Sequence, residues 1–322
     1  MTFAGSPDRI EARLVPEAGF ELDTFRVAGL PRRPGLGLLR AGVVSVGAPA
    51  ACLRILARRR PHVVLGGGGY VAGPMVLAAW LRRIPAALME ADAHLGLANR
   101  LAAPFARRVF LAFPVAGRSG EKYVVTGRPV PARSVAGLRD EARRLFELPE
   151  AAPVALVFGG SQGARSLNET IADAFGAEGP AILHLAGERD YQALRGRVGR
   201  RDYRLLPYTH EFGAALAASD LVVARAGGSV WEVAAAGKPA VLVPYPHATA
   251  DHQTKNAEHF ATAGGAIVVA DADVARLPAI VRSLLADSTR LAAMSKAMRR
   301  AARPGAARVV AEEIVALAGA RR

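Results

Sequence analysis

Cysteine is almost absent: Cys52 stands alone among 322 residues. No disulfide framework can form within the chain, and such sparing use of thiols suits a reducing compartment. Lysine is nearly as scarce, with four Lys beside 38 Arg, a bias that GC-rich coding produces as readily as function does. Aromatic residues make up only 6% of the chain. No apolar run reaches the ~20 residues of a membrane span. The longest uncharged stretch near the start, Ala41 to Leu53, is too short to cross and lacks a signal-peptide layout. These absences point to a protein that is soluble or sits on a surface.

What is present is ample for a packed core: 51% hydrophobic and 22% charged residues argue against disorder, and the length suggests two domains. The net charge of +14 predicts an anionic partner, whether nucleic acid, phospholipid headgroups or a phosphorylated substrate. Nucleic acid fits least, because the arginines are scattered, aromatics are few and no recognised nucleic-acid motif appears.

Short apolar runs alternate with helical stretches, the pattern of a parallel α/β protein. Strands are predicted at His62–Leu65, Ala86–Leu88, Arg108–Phe113, Lys122–Val125, Val154–Phe158, Ala181–Leu185, Tyr203–Leu206, Leu221–Ala224, Ala240–Val243 and Ala266–Val269. Most end in Gly, Pro or Ser, so a turn follows the carboxyl end of the strand, where open α/β sheets bind ligands. The chain opens on Met1–Gly5 as a strand entering a turn. A Rossmann-like half that begins there lacks a first strand and its glycine loop. A boundary is predicted between Gly127 and Pro153, giving domains over 1–130 and 131–322. The tail from Leu284 reads as two helices broken at Pro304-Gly305, which could cross back to the first domain.

Several loops carry residues suited to chemistry. Val154–Arg165 reads as strand, glycine turn and helix start, where backbone N–H groups and Ser161 can face an anion. Its Gly159, Gly160 and Gly163 do not make a dinucleotide fingerprint, and a tight connection without a ligand would read the same way. Leu221–Ala240 repeats the plan with Gly227, Gly228 and Ser229, and Glu232 follows one turn later, where its carboxylate can accept two hydrogen bonds from a ribose diol. An acid complementing the helix dipole would also stand there. In Val243–Ala257 the polar cluster Asp251, His252, Gln253 and Asn256 exceeds what a helix cap needs and suits sugar hydroxyls. No second cluster has metal-ligand spacing. In the first half, Gly66–Gly69 permits a very close backbone approach, and Glu90, Asp92, His94 and Asn99 follow a strand, where loop solvation and a helix cap are the plain alternative. Together these loops predict two Rossmann-like halves facing a shared cleft, the GT-B plan.

The strings Gly66–Pro74, Gly159–Ala164, Arg225–Glu232 with Ala234–Pro239, and Asp251–Ala257 resemble the MurG family of undecaprenyl-diphospho-muramoylpentapeptide β-N-acetylglucosaminyltransferases. Asp8–Pro16 matches early, and the likeness runs from about Phe3 to the C-terminal helices. The resemblance implies an inverting transfer of N-acetylglucosamine from UDP-N-acetylglucosamine to a lipid-linked muramoyl-pentapeptide, with no cofactor, metal or covalent intermediate. It implies a peripheral enzyme on the cytoplasmic face of the membrane, against an anionic surface. By motif match Ser161 and the Gly227–Ser229 turn would hold the diphosphate, Glu232 the ribose, the backbone of Thr209 the uracil, and Gln253 with His252 the sugar. Asp92 stands where the family has an asparagine near the sugar. The predicted substrate-binding set is therefore Ser161, Gln162, Thr209, Arg225, Gly227, Gly228, Ser229, Glu232, His252, Gln253, Asn256 and Asp92. Glu90, Asp92 and His94 are the predicted catalytic residues.

The chain departs from the pattern in three ways, one of them an Arg225–Glu232 stretch one residue shorter than in some relatives. The family's first strand and Gly-Gly-Thr-x-Gly-His loop are missing, about 35 residues by the family pattern. A start codon placed too late would explain this, and transfer would then suffer more than donor binding. Gly127–Pro131 carries proline where the family has a donor-contacting arginine, a role Arg128 or Arg133 could take. Two alternatives follow: a UDP-sugar transferase acting on another lipid acceptor, or a truncated UDP-sugar-binding protein with little activity. The apolar stretch Arg32–Arg54, closed by Arg58–Arg60, is predicted as the membrane-facing patch, or else as a core-facing helix with a basic edge.

Overall fold

The computed structural model describes residues 1–27, 47–135, 137–160 and 164–319. The chain divides into two compact units, Met1–Thr126 with Arg308–Arg322, and Gly127–Ala307. Ser161 and Gln162 lie outside the described residues, as does most of the Arg32–Arg54 stretch.

In the first unit, β1 (Phe3–Gly5) and β2 (Leu22–Thr24) pair in parallel around α1 (Glu11–Glu17). The strand at Leu22–Thr24 is absent from the sequence prediction: three residues with a central aspartate carry no readable apolar alternation. Asp23 is nevertheless buried, and Arg58 and Arg59 reach it at 2.5 and 2.8 Å. The Arg59 hydrogen bond, with charge from both arginines, holds its carboxyl below the usual carboxylate range against the opposing effect of burial. Those arginines end α2 (Ala48–Arg59), whose Ala48, Cys52, Ile55 and Leu56 are buried. The described part of the predicted membrane patch thus turns its apolar face to the core and spends its basic edge on Asp23.

A second sheet of this unit runs in the order β3 (Val64–Gly66), β4 (Ala86–Glu90), β5 (Arg108–Leu111), β6 (Tyr123–Val125), all parallel. Between its strands stand α3 (Gly69–Leu81) and α4 (Leu97–Ala102). The other face of the sheet, at Ala87 and Phe110, is covered by Val310, Ile314 and Leu317 of the last helix, α13 (Ala306–Gly319).

The second unit opens with α5 (Arg139–Leu145) and continues through β7 (Val154–Phe158), α6 (Arg165–Phe175), β8 (Ala181–Leu185), α7 (Glu188–Leu194), β9 (Tyr203–Leu206), α8 (Phe212–Ala218) and β10 (Leu221–Ala224). It then runs through α9 (Val230–Ala235), β11 (Ala240–Leu242), α10 (His252–Thr262), β12 (Ala266–Val268), α11 (Leu277–Leu285) and α12 (Ser288–Ala301). Its six parallel strands lie in the order β12-β11-β10-β7-β8-β9. The direction of winding reverses between β7 and β10, which is where a doubly wound sheet opens a crevice at its strand ends. Every residue of β7, β8, β10 and β11 is buried, as a sheet covered on both faces requires. On α6 the spacing of Leu167, Ile171 and Phe175 points one apolar stripe at that core.

Two buried polar groups hold this unit together. Arg143 on α5 is fully buried; it donates to the carbonyls of Pro149, Glu150, Ala152 and Ala218 and pairs with Asp220 at 2.7 Å. Asp220 in turn accepts from the backbone N–H of Val154, so the connection leading into β7 is fastened at both ends. His184 on β8 is also fully buried, between Tyr203 Oη at 2.7 Å and Asn168 Oδ1 at 3.0 Å, while Asn168 donates to Ala186 and Asp190. Burial pushes the His184 imidazole down to about 3.

A neutral His184 therefore favours the folded state fully above the ordinary histidine value of about 6.5. As pH falls below that value the unfolded chain takes a proton that the folded chain refuses. Denaturant titrations should show this site lowering stability by about 1.4 kcal/mol per pH unit on acidification toward pH 4. His184→Gln should flatten that limb; an unchanged slope would show that the histidine is not buried neutral.

Candidate functional site

Four loops of the second unit gather at the carboxyl edge of its sheet. Gly159 and Gly160 follow β7, Pro207–His210 follow β9, Arg225–Ser229 follow β10, and Val243–Asp251 follow β11. Gly227, Gly228 and Ser229 are half-buried and enter α9, with Glu232 in its first turn. The structure thus brings the predicted diphosphate turn and the predicted ribose acid to the switch point.

Two residues outside the predicted substrate-binding set join them. The guanidinium of Arg128 occupies the volume that a Cβ on Gly228 would fill. Arg128 is half-buried and pairs with no carboxylate among the described residues. Arg133, the other candidate cation, is exposed. Ser134 is buried, and its hydroxyl donates to Glu232 Oε1 at 2.6 Å. The sequence signal for Arg128 is its place in the Gly127–Pro131 loop, whereas nothing in the sequence distinguishes Ser134 from any other serine.

Thr209 is half-buried beside an exposed Tyr208, and its hydroxyl accepts from the N–H of Glu211 at 3.0 Å. Gln253 and His252 are half-buried at the start of α10. Gln253 Oε1 accepts from the N–H of Tyr245, leaving its amide NH₂ group directed elsewhere. His252 Nδ1 donates to the Thr249 carbonyl at 2.8 Å, so the neutral ring keeps Nε2 as an acceptor. Ala250 and Asp251 just before them both take the left-handed conformation, φ 52° and 51°. Such conformations cost on the order of 1–3 kcal/mol for residues other than glycine and concentrate at functional sites.

Two residues of the predicted substrate-binding set are buried and bonded within the protein. Arg225 is buried; it pairs with Asp271 at 2.7 Å and donates to Ser166 Oγ and to the carbonyls of Val243 and Pro244. Asn256 is fully buried and donates to the Ala226 carbonyl at 3.1 Å. Both fix the loops that carry the site, since their polar ends are committed to backbone and partner side chains.

The first unit holds its own hollow of about 330 Å³, lined by Gly67–Gly69, Met89–Asp92 and Gly96–Asn99. Gly68 takes φ +96°, which puts the backbone of the α3 entry where no side chain intrudes. Asp92 lines this hollow, and His94 is half-buried in the same loop. Glu90, predicted as a catalytic residue, has both carboxylate oxygens bonded within the chain. Its Oε1 accepts from the N–H groups of Ala91 and Asp92, and its Oε2 from Gly96 N–H and Asn99 Nδ2. A carboxylate so occupied is a clamp on the 91–99 loop. Among the described residues no group of His, Cys, Asp and Glu is arranged to hold a metal ion.

Models of the glycosyltransferase family 28 N-terminal and C-terminal domains match residues 2–111 and 154–310. The UDP-N-acetylglucosamine--N-acetylmuramyl-(pentapeptide) pyrophosphoryl-undecaprenol N-acetylglucosamine transferase of Salinibacter ruber is 41% identical over 99% of this chain and 88% of its own length. Its namesake from Rubrobacter xylanophilus is 38% identical over 98% and 95%. Among solved structures, Acinetobacter baumannii MurG superposes with a TM-score of 0.76 at 28% identity, over 97% of this chain and 90% of that one. The chain belongs to glycosyltransferase family 28, among the UDP-N-acetylglucosamine--N-acetylmuramyl-(pentapeptide) pyrophosphoryl-undecaprenol N-acetylglucosamine transferases.

Proposed function

We propose that the chain transfers N-acetylglucosamine from UDP-N-acetylglucosamine to undecaprenyl-diphospho-muramoylpentapeptide, with the second unit holding the donor and the first the acceptor. The observation that carries the donor half is the grouping of Glu232, Ser134, the Gly227–Ser229 turn and Arg128 at the β7–β10 switch point. Glu232 accepts the ribose hydroxyls, the turn takes the diphosphate on its N–H groups, and Arg128 supplies the countercharge. The backbone at Thr209 reads the uracil, and Gln253 with His252 faces the sugar. Ser161 and Gln162 complete the phosphate loop after β7 in the same reading.

The reaction is a single displacement. An acceptor hydroxyl oxygen bonds to the anomeric carbon as the bond to the diphosphate breaks from the opposite face, inverting that carbon. The leaving electrons go to UDP, whose added charge Arg128 and the turn stabilise. The hydroxyl proton passes to a base in the first unit, and with Glu90 committed to its loop the candidates are Asp92 and His94. Asp92→Asn or His94→Gln should lower turnover about 10²–10⁴-fold with the fold intact, the usual contribution of a positioned base. Glu90→Gln, which turns an amide donor toward backbone N–H groups, should instead destabilise the chain by about 1–3 kcal/mol. A stable Glu90→Gln protein without turnover would return the base role to Glu90.

Glu232→Ala should weaken UDP binding at least about tenfold, through lost hydrogen bonds to a charged group worth about 1.5–3 kcal/mol each. Arg128→Gln should weaken UDP while sparing uridine, which carries no phosphate. Calorimetry showing Glu232→Ala with wild-type UDP affinity would remove the nucleoside assignment.

No helix among the described residues is long and apolar enough to cross a membrane, and the reading places the enzyme peripherally on the cytoplasmic face. Support comes from the adjoining helices α3 and α4, where Trp80, Leu81, Leu97 and Leu101 are at least half exposed. Arg82, Arg83, Arg100 and Arg107 stand exposed around them. Apolar side chains edged by arginine suit an anionic lipid surface. The protein should co-sediment with anionic vesicles and leave them in high salt, and Trp80→Ser with Leu101→Ser should weaken binding. Equal sedimentation with neutral vesicles would remove the electrostatic part.

A further inference from the structure

We propose that Ser134 is a positioning residue for Glu232 and sets the preference of the chain for ribonucleotides over 2′-deoxyribonucleotides. This rests on the reading of Glu232 as the ribose-binding carboxylate and adds the residue that aims it.

Ser134 belongs to a strap, residues 127–135, laid against the entry of α9. Arg128 at one end covers Gly228, and Ser134 at the other bonds Glu232. The strap is held independently of any ligand. The N–H of Ser134 donates to the Pro131 carbonyl at 2.9 Å. On its far side Gly213, near the start of α8, lies so close that a Cβ there would collide with the Arg133 carbonyl and crowd Ser134 Cα. Ser134 is only 4% exposed, so its hydroxyl has no competing solvent.

The chemistry of the carboxylate gives this bond its consequence. The terminal torsion of a glutamate is broad, so an unrestrained Glu232 would present its oxygens over a range of planes. A short bond of 2.6 Å from a buried hydroxyl to Oε1 fixes that plane. It uses one of about four lone-pair positions and leaves the others in a set direction. Two neighbouring hydroxyls on one face of a furanose match such a fork, and a sugar lacking the 2′-hydroxyl leaves one arm unpaired. Discrimination of this kind is large only when the protein group cannot turn away to find another partner.

The test is calorimetric titration of UDP and 2′-deoxy-UDP into the full chain, its Ser134→Ala variant and its Ser134→Thr variant. The wild type should favour UDP at least about tenfold, as one hydrogen bond to a charged group implies. In Ser134→Ala the ratio should fall at least about threefold, mostly through weaker UDP binding, while Ser134→Thr, which keeps the hydroxyl, should restore part of it. A Ser134→Ala protein that keeps the wild-type ratio overturns the proposal, including the case in which both nucleotides weaken alike, as a purely structural role predicts. A wild type that binds the two nucleotides equally overturns the ribose reading of Glu232 and this proposal with it. If the wild type prefers UDP and only Glu232→Ala abolishes that preference, the ribose reading stands and Ser134 is set aside.

Discussion

The guanidinium of Arg225 ties together four segments at the carboxyl edge of the second unit's sheet. It leaves the end of β10, crosses the carbonyls that follow β11, meets Ser166 near the start of α6, and pairs with Asp271 beyond β12. The ring of Tyr245 lies 5.7 Å from its centre. Burying such a charge costs several kcal/mol before any partner is counted. Its bonds to two carbonyls, a hydroxyl and a carboxylate are what make the arrangement tolerable, and they fix the spacing of the strand-end segments. Asp271 gains from the same contacts: despite burial, hydrogen bonds from Ser166 and Arg225 hold its carboxyl below the ordinary range. The loops at this edge of the sheet are thereby held to one another by the chain's own side chains.

The first unit meets the same requirement with the opposite charge. Glu90 ends β4 and gathers three backbone N–H groups from the loop that follows and one side-chain amide from α4. Where Arg225 collects acceptors, Glu90 collects donors, and each converts a strand end into a fixed platform. The His184–Asn168–Asp190 network does similar work in the second unit, between β8, α6 and α7. Each of these polar groups is buried with partners, and removing one partner leaves a group whose desolvation is no longer compensated.

This explains which parts of the protein could be read from its sequence. The ten predicted strands all occur to within a few residues, because parallel strands, several of them buried on both faces, are short apolar runs bounded by turn residues. The turns at Gly66–Gly69 and Gly227–Ser229 were legible for a related reason, standing where an apolar run ends and a helix begins. Leu22–Thr24 was not legible, since its strand character comes from pairing with Phe3–Gly5 and from two arginines 35 and 36 residues away. Arg225, Asn256 and Glu90 were found as notable residues, and the structure adds that each is buried and bonded within the chain. A polar residue in a ligand loop reads the same whether it faces the ligand or holds the loop, and only burial and bonding separate the two. Ser134 shows the converse, since its importance lies entirely in a partner 98 residues distant.

Glycine shows most clearly where sequence reading stops. A glycine can mark a place where something comes close, and at two positions in this protein the visitor is the chain itself. Gly228 makes room for the Arg128 guanidinium, and Gly213 for the Arg133 carbonyl. In both places the strap over 127–135 is what approaches. The Gly227–Ser229 turn and the helix it enters are therefore built in two layers: glycines at 213 and 228 let the strap lie close, and the strap then brings a cation to the turn and a second hydroxyl to Glu232. A larger residue at either glycine would displace Arg128 or Ser134 before it touched any nucleotide. The glycine-rich appearance of such a site thus records the space its own supporting residues need as much as the space left for substrate.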